Sequence, residues 1–260
     1  MALTDSLVAW YRLDEASGTR ADSSGNAYTL TDNNTVGSAT GHVSALAADF
    51  VAASSESLSA THAGLIAPFT IAAAWSWVLW IRPESPIEST LSEPISTYNS
   101  TKGIQCRRRG QTAFGGSTIA WDIVNDAGTA KRIEGTANTP VDTWSMIALV
   151  YDGAGSAFCR TNASTSSATT GITGTLTPAA TFRIGARGAP TGADYWDGRV
   201  GPVGLWSRVL TSGELDSLYN SGAGLDPTAA SGQPAAARGV LVPGMNRDGR
   251  RVGASRIGWG

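Results

Sequence analysis

The chain has 260 residues, with 21 acidic groups, 19 basic groups and a formal charge of −2. An apolar content of 42% with nine Trp can fill a core and excludes disorder throughout; a charged fraction of 15% with 31 Gly excludes a coiled coil. No apolar run approaches the ~20 residues that a membrane-spanning helix needs.

Taken in chain order, Met1-Ala-Leu-Thr-Asp-Ser-Leu7 has no basic n-region and no apolar h-region. It predicts no signal peptide and synthesis in the cytoplasm. Leu7–Leu13 reads as a first strand. From Phe69 to Ile81 every odd position is apolar (Phe69, Ile71, Ala73, Trp75, Trp77, Leu79, Ile81), which predicts one long strand with a face in a core. Arg107-Arg108-Arg109-Gly110 reads as a charged hairpin edge that discourages pairing with other chains, with an anionic partner as the competing reading. Cys106 and Cys159 are too few for a disulfide framework and read as free buried thiols. Ile119, Trp121 and Ile123 alternate, Trp144–Tyr151 is a continuous run buried on both faces, and Asp152-Gly153 is a turn. Phe182, Ile184 and Ala186 alternate again, and Arg199–Trp206 reads as a last strand. Thr211-Ser-Gly-Glu214 is a capping box that opens a helix over about 212–220, with Gly222 as its stop. Many short strands with one short helix predict an antiparallel β-sandwich.

Composition and charge shift near Asp226-Pro227. Residues 1–227 carry 14 basic and 20 acidic groups, net −6, whereas 228–260 carry five Arg and one Asp, net +4. We therefore divide the chain into a domain over 1–225 and a linker with an extended basic tail over 226–260.

Several pieces in order resemble the laminin G-like (LamG) domains of the concanavalin A-like jelly rolls found in bacterial and phage proteins. Leu7-Val-Ala-Trp-Tyr-Arg-Leu-Asp14 resembles the opening strand and Asp22-Ser-Ser-Gly25 the first turn. Phe69-Thr-Ile with Trp80-Ile-Arg-Pro83, Trp144 through Tyr151-Asp-Gly153, and Phe182-Arg-Ile-Gly185 resemble the central strands. Trp196-Asp-Gly-Arg-Val200, Leu205-Trp206, Leu210-Thr211 and Glu214-Leu215 resemble the closing signature. The resemblance implies a two-sheet antiparallel jelly-roll sandwich, all-β, with one short helix on its C-terminal side and the first strand beside the last. It departs where the family often has an acidic pair: here stand Gly201 and Pro202.

Related sandwiches include glucanases with Glu-x-Asp-x-x-Glu on a strand. The nearest match here, Glu214-Leu-Asp216, lacks the third carboxylate and falls on the helix, where residues two apart point to different sides. His42 and His62 have no partners that make a triad, and no His/Cys cluster has zinc spacing. The chain is therefore read as no enzyme, with no catalytic residues, no metal site and no cofactor. A structural Ca²⁺ on Asp14, Asp22, Asn26 and Asp49, as such domains often carry on a rim loop, is the less favoured reading against Asx-turn chemistry. Trp80, Trp121, Trp144 and Trp196 are assigned to the core, the last because the resemblance puts it there rather than on a glycan platform with Tyr195. No glycan-binding residue is assigned.

In the tail, Leu241, Arg247, Arg250, Arg251, Arg256 and Trp259 are the candidate partner-binding residues, since Arg and Trp are enriched at binding hot spots. The leading expectation is a non-catalytic virion structural protein of a bacteriophage, a capsid decoration or tail component. It would be homo-oligomeric and docked by this tail on the major capsid or a tail protein. The alternative is a carbohydrate-binding or adhesion module that meets a host-surface glycan. Neither nucleic acid nor membrane is an expected partner.

Overall fold

A computed structural model describes residues 1–86, 92–111, 116–177, 180–188 and 194–229. The strands of its first half are β1 (Leu7–Tyr11), β2 (Thr31–Asn33), β3 (Gly37–Thr40), β4 (Leu46–Phe50) and β5 (Ser57–Ala60). A single helical turn, α1 (Ala63–Ile66), precedes β6 (Trp75–Pro83), β7 (Ile95–Ser96) and β8 (Gly103–Gln111). Then follow β9 (Gly116–Val124), β10 (Ala130–Asn138), β11 (Ser145–Tyr151), β12 (Ala157–Thr161), β13 (Ser164–Thr165), β14 (Phe182–Ile184), β15 (Gly198–Trp206) and the helix α2 (Ser212–Tyr219). They form two antiparallel sheets. One runs β13-β12-β11-β6-β15-β4-β3, with β1 also on β15; the other runs β10-β9-β8-β7-β14-β5-β2. Residues Met1–Thr228 make one compact unit. Leu241, Arg247, Arg250, Arg251, Arg256 and Trp259 lie outside the described residues.

The first strand does pair with the last, Leu7 opposite Trp206 and Tyr11 opposite Val203. β15 changes partner midway: Gly198–Val200 pair with β4, and the stretch ending at Trp206 with β1. The change falls at Gly201-Pro202. Against β6, Val200 opposes Ile81 and Val203 opposes Leu79, so β15 carries one extra residue there. A proline has no N–H for the ladder and is tolerated at such a bulge.

The central strands of the eight-stranded sheet, β6, β11 and β15, are buried on both faces over nearly all their length. Trp75, Trp77, Leu79 and Ile81 enter the core between the sheets with Trp121, Phe182 and Ile184. Val78 and Trp80 point the other way, into a second core closed by Leu210 and by Leu215 and Leu218 of α2. Each such side chain contributes roughly 1.5–3 kcal/mol through the apolar area it removes from water.

Four expectations need correction. The strand begins at Trp75, not Phe69, and Ala73 is exposed. The preceding segment folds as a turn in which Thr70 O accepts the Trp75 indole N–H at 2.9 Å and Ile71 O accepts the Tyr151 hydroxyl at 2.7 Å. Leu13 lies beyond β1 with a left-handed φ of 57°. Trp144 precedes β11 and is only half-buried, packed against the second core. The helix has its capping box, with Thr211 Oγ1 accepting from Glu214 N, but it stops at Asn220 (φ 47°) rather than Gly222; Asn is the residue after Gly that most readily takes this conformation.

Candidate functional site

Loops that join the sheets gather at one end of the sandwich. There Ser85 follows β6, Asp197 precedes β15, Ala52 follows β4, and Arg108 projects from β8. β8 alternates: Ile104 and Cys106 face the inter-sheet core, and Arg108 takes the same side at its end. Arg108 is 1% exposed. Its Nη1 donates to Ser85 O at 2.8 Å and its Nη2 to Thr139 O at 3.0 Å, while its Nε–H has no partner among the described residues. Burial pulls its pKa down to about 10, so it stays cationic at neutral pH. Asp197 accepts from the Ser85 hydroxyl and from Ala52 N at 3.3 Å. These groups, with Ser92 and Tyr195, line a cavity of about 310 Å³. That is at the lower end of the range for small-molecule sites, ~300–1,000 Å³.

The residues next in sequence turn to the outer face of the seven-stranded sheet and form a chain of charges. Glu93 is fully buried, and burial pushes its carboxyl up to about 7, opposed by Arg107. Arg107 Nε lies 3.4 Å from Glu93 and its Nη1 3.5 Å from Asp122. Asp122 takes Arg132 through Nε at 2.8 Å and Nη2 at 3.1 Å. Arg187 pairs with Asp194 at 3.0 Å and lies 4.8 Å from the Tyr98 ring centroid. The hairpin-edge reading of Arg107–Arg109 is thus corrected: β8 is an interior strand between β7 and β9, and its guanidiniums are bound to carboxylates and carbonyls.

The other sequence candidates are consumed by structure. Glu214 is held down to about 2 by Arg208, which donates to it at 2.9 and 2.7 Å, and by Thr211. Asp216 accepts from Arg160 at 2.6 Å. Asp22 accepts from the backbone N–H groups of Trp10, Ser24 and Tyr28, and Asn26 donates to the carbonyls of Leu7 and Val8. Asp49 faces Arg199 and Asp14 is exposed. Among the described residues no three His, Cys, Asp or Glu side chains form a group that could hold a metal. Trp196 is wholly buried and Tyr195 reaches the cavity without it. Cys106 and Cys159 are free and buried, and burial raises both thiols.

Two facing antiparallel sheets with recognition-type side chains at the rim define a lectin-like jelly roll. The chain belongs to the concanavalin A-like lectin/glucanases superfamily, whose family model matches residues 53–216. A search of the curated proteins found no match. Among solved structures, the binding domain of Paraclostridial mosquitocidal protein 1 superposes with a TM-score of 0.66 at 13% identity, over 84% of this chain and 53% of that one. Botulinum neurotoxin type C, in a structure whose description makes its cell entry dependent on two ganglioside molecules, gives 0.63 at 12%, over 84% and 52%. Domain 4 of AbnA, a GH43 extracellular arabinanase from Geobacillus stearothermophilus, solved with arabinotriose, gives 0.58 at 18%, over 80% and 96%. The chain spans about half the length of the toxin binding domains it matches, and nearly all of the arabinanase domain. The mosquitocidal protein structure is described as a binding domain, as is one of botulinum neurotoxin type G.

Proposed function

We propose that this chain is a non-catalytic carbohydrate-recognition module that takes its ligand at the rim cavity. The observation that carries this is the convergence of Arg108, Asp197, Ser85, Ser92 and Tyr195 on one cavity at the end of the sandwich. Solved neighbours of the same fold are described with arabinotriose and with gangliosides, which supports the reading. Binding of the full chain and of Tyr195→Ala to a glycan array tests it: the parent should bind and the variant should lose most of the signal. Equal binding by both would refute the assignment.

A docking role for the tail is a second reading, favoured by the five Arg and one Trp of residues 228–260, residue types enriched at binding hot spots. It would make the module a virion component. Deleting residues 228–260 should then leave the melting temperature unchanged and abolish incorporation into phage particles. Normal incorporation of the truncated chain would end that reading.

A further inference from the structure

The chemistry of the rim cavity specifies its ligand more closely. We infer that it holds an uncharged sugar residue through adjacent hydroxyls, without a bridging metal ion; this rests on the carbohydrate-recognition reading above.

A guanidinium recognises a carboxylate or phosphate by presenting two parallel N–H groups as a fork. Each Nη of Arg108 spends one of its two hydrogens on a backbone carbonyl, Nη1 on Ser85 and Nη2 on Thr139. An anion would need two of the remaining N–H groups side by side. A guanidinium has five N–H donors, so single donors remain, the Nη1 hydrogen that Ser85 does not use among them. A single donor suits a hydroxyl oxygen.

Asp197 supplies the complement. A carboxylate offers about four acceptor sites, and the Ser85 hydroxyl and Ala52 N–H occupy two. The rest can accept from a ligand O–H. An anionic ligand meets the repulsion of this carboxylate, and a cationic one that of a buried, incompletely paired guanidinium. A sugar hydroxyl both accepts and donates, and two neighbouring hydroxyls satisfy Arg108 and Asp197 together. The Ser92 hydroxyl adds another polar contact, while Tyr195, Ala52 and Pro86 give apolar surface for the ring carbons.

A metal is not the natural bridge here. Calcium takes six to eight oxygen ligands, usually with several carboxylates. Among the described lining residues Asp197 is the single carboxylate, and the Arg108 cation shares its cavity.

Calorimetric titration of the full chain tests this with neutral probes (arabinotriose, lactose, cellobiose and a wider neutral set drawn from array hits) and charged ones (galacturonic acid, sialyllactose, glucosamine). Each titration is run in calcium and in excess EDTA. The expected result is binding of a neutral saccharide, unchanged by EDTA and weakened at least tenfold in Asp197→Asn and in Tyr195→Ala. Both variants are first checked for an unchanged melting temperature; Tyr195 is half-buried and keeps the test valid if Asp197→Asn unfolds. Binding only of charged saccharides, or loss of binding in EDTA, would overturn this inference and leave carbohydrate recognition standing. Unweakened binding by the folded variants would remove the cavity from either reading. Absence of binding to any saccharide would overturn both.

Discussion

Gly201 lies beneath the Trp144 indole: a Cβ built on it would stand 3.3 Å from Trp144 Cζ3 and 3.2 Å from Trp80 Cβ. The glycine at the β15 bulge therefore makes room for two tryptophans on the outer side of the eight-stranded sheet. Gly201→Val should destabilise by about 1–3 kcal/mol through overpacking, read from urea unfolding. A neutral result would mean that the two indoles can withdraw freely.

The tryptophans themselves should differ. Trp77 is fully buried and packs against Phe69, Trp75, Trp121 and Phe182 at centroid distances of 5.2, 5.8, 6.1 and 6.0 Å. Trp77→Ala should cost about 3–5 kcal/mol, and Trp144→Ala less because its indole is only partly buried. The reverse order in urea titrations would contradict the two-core arrangement.

Glu93 makes stability depend on pH. Its folded pKa, about 7, stands above the ordinary glutamate value of about 4.3. Between these values the folded chain holds a proton that the unfolded chain has lost, so stability falls as pH rises, by roughly 3 kcal/mol in all. Glu93→Gln should flatten this slope between pH 5 and pH 8. An unchanged slope would show that Glu93 ionises normally.

Arg108→Met should destabilise by about 3 kcal/mol, because it leaves the buried carbonyl of Thr139 and the partly buried one of Ser85 without their charged donor. Lysine carries the charge but cannot span both oxygens as the planar fork does, so Arg108→Lys should recover only part of the loss. Full recovery by Lys would mean that charge alone matters at this position.

Glu214→Gln should weaken the helix cap by about 1 kcal/mol. The wild-type contribution is present above the ordinary glutamate pKa and is lost as pH falls toward the folded value of about 2. Hydrolysis of a β-glucan that depends on Glu214 would contradict its placement between Arg208 and Thr211.

How far the sequence could be read depends on the range of the forces involved. The capping box was legible because Thr211 and Glu214 meet within one helical turn. The alternation over Trp75–Ile81 was legible because a strand face repeats every two residues. It ran too far because Ala73 is apolar enough to fit the pattern, yet too small to hold a strand against the turn that Thr70 and Ile71 make with Trp75 and Tyr151. Trp144 looked like core because nothing local distinguishes an indole between sheets from one lying over Gly201. The site was hidden for a different reason. Arg108 sits within a run of three arginines whose alternating fates depend on which face each takes. Glu93, Asp122 and the stretch that holds both Asp194 and Asp197 come from separate segments that only the fold brings together.

The burial of β6 on both faces divides the molecule by its timescales of opening. Its amides bond to β11 on one side and β15 on the other, and neither face admits water. In native-state hydrogen exchange these protons should open only with the whole domain, whereas those around Ser85, Ser92 and Asp197 should open locally and much sooner. The rim can thus rearrange around a ligand while the spine of the fold stays closed.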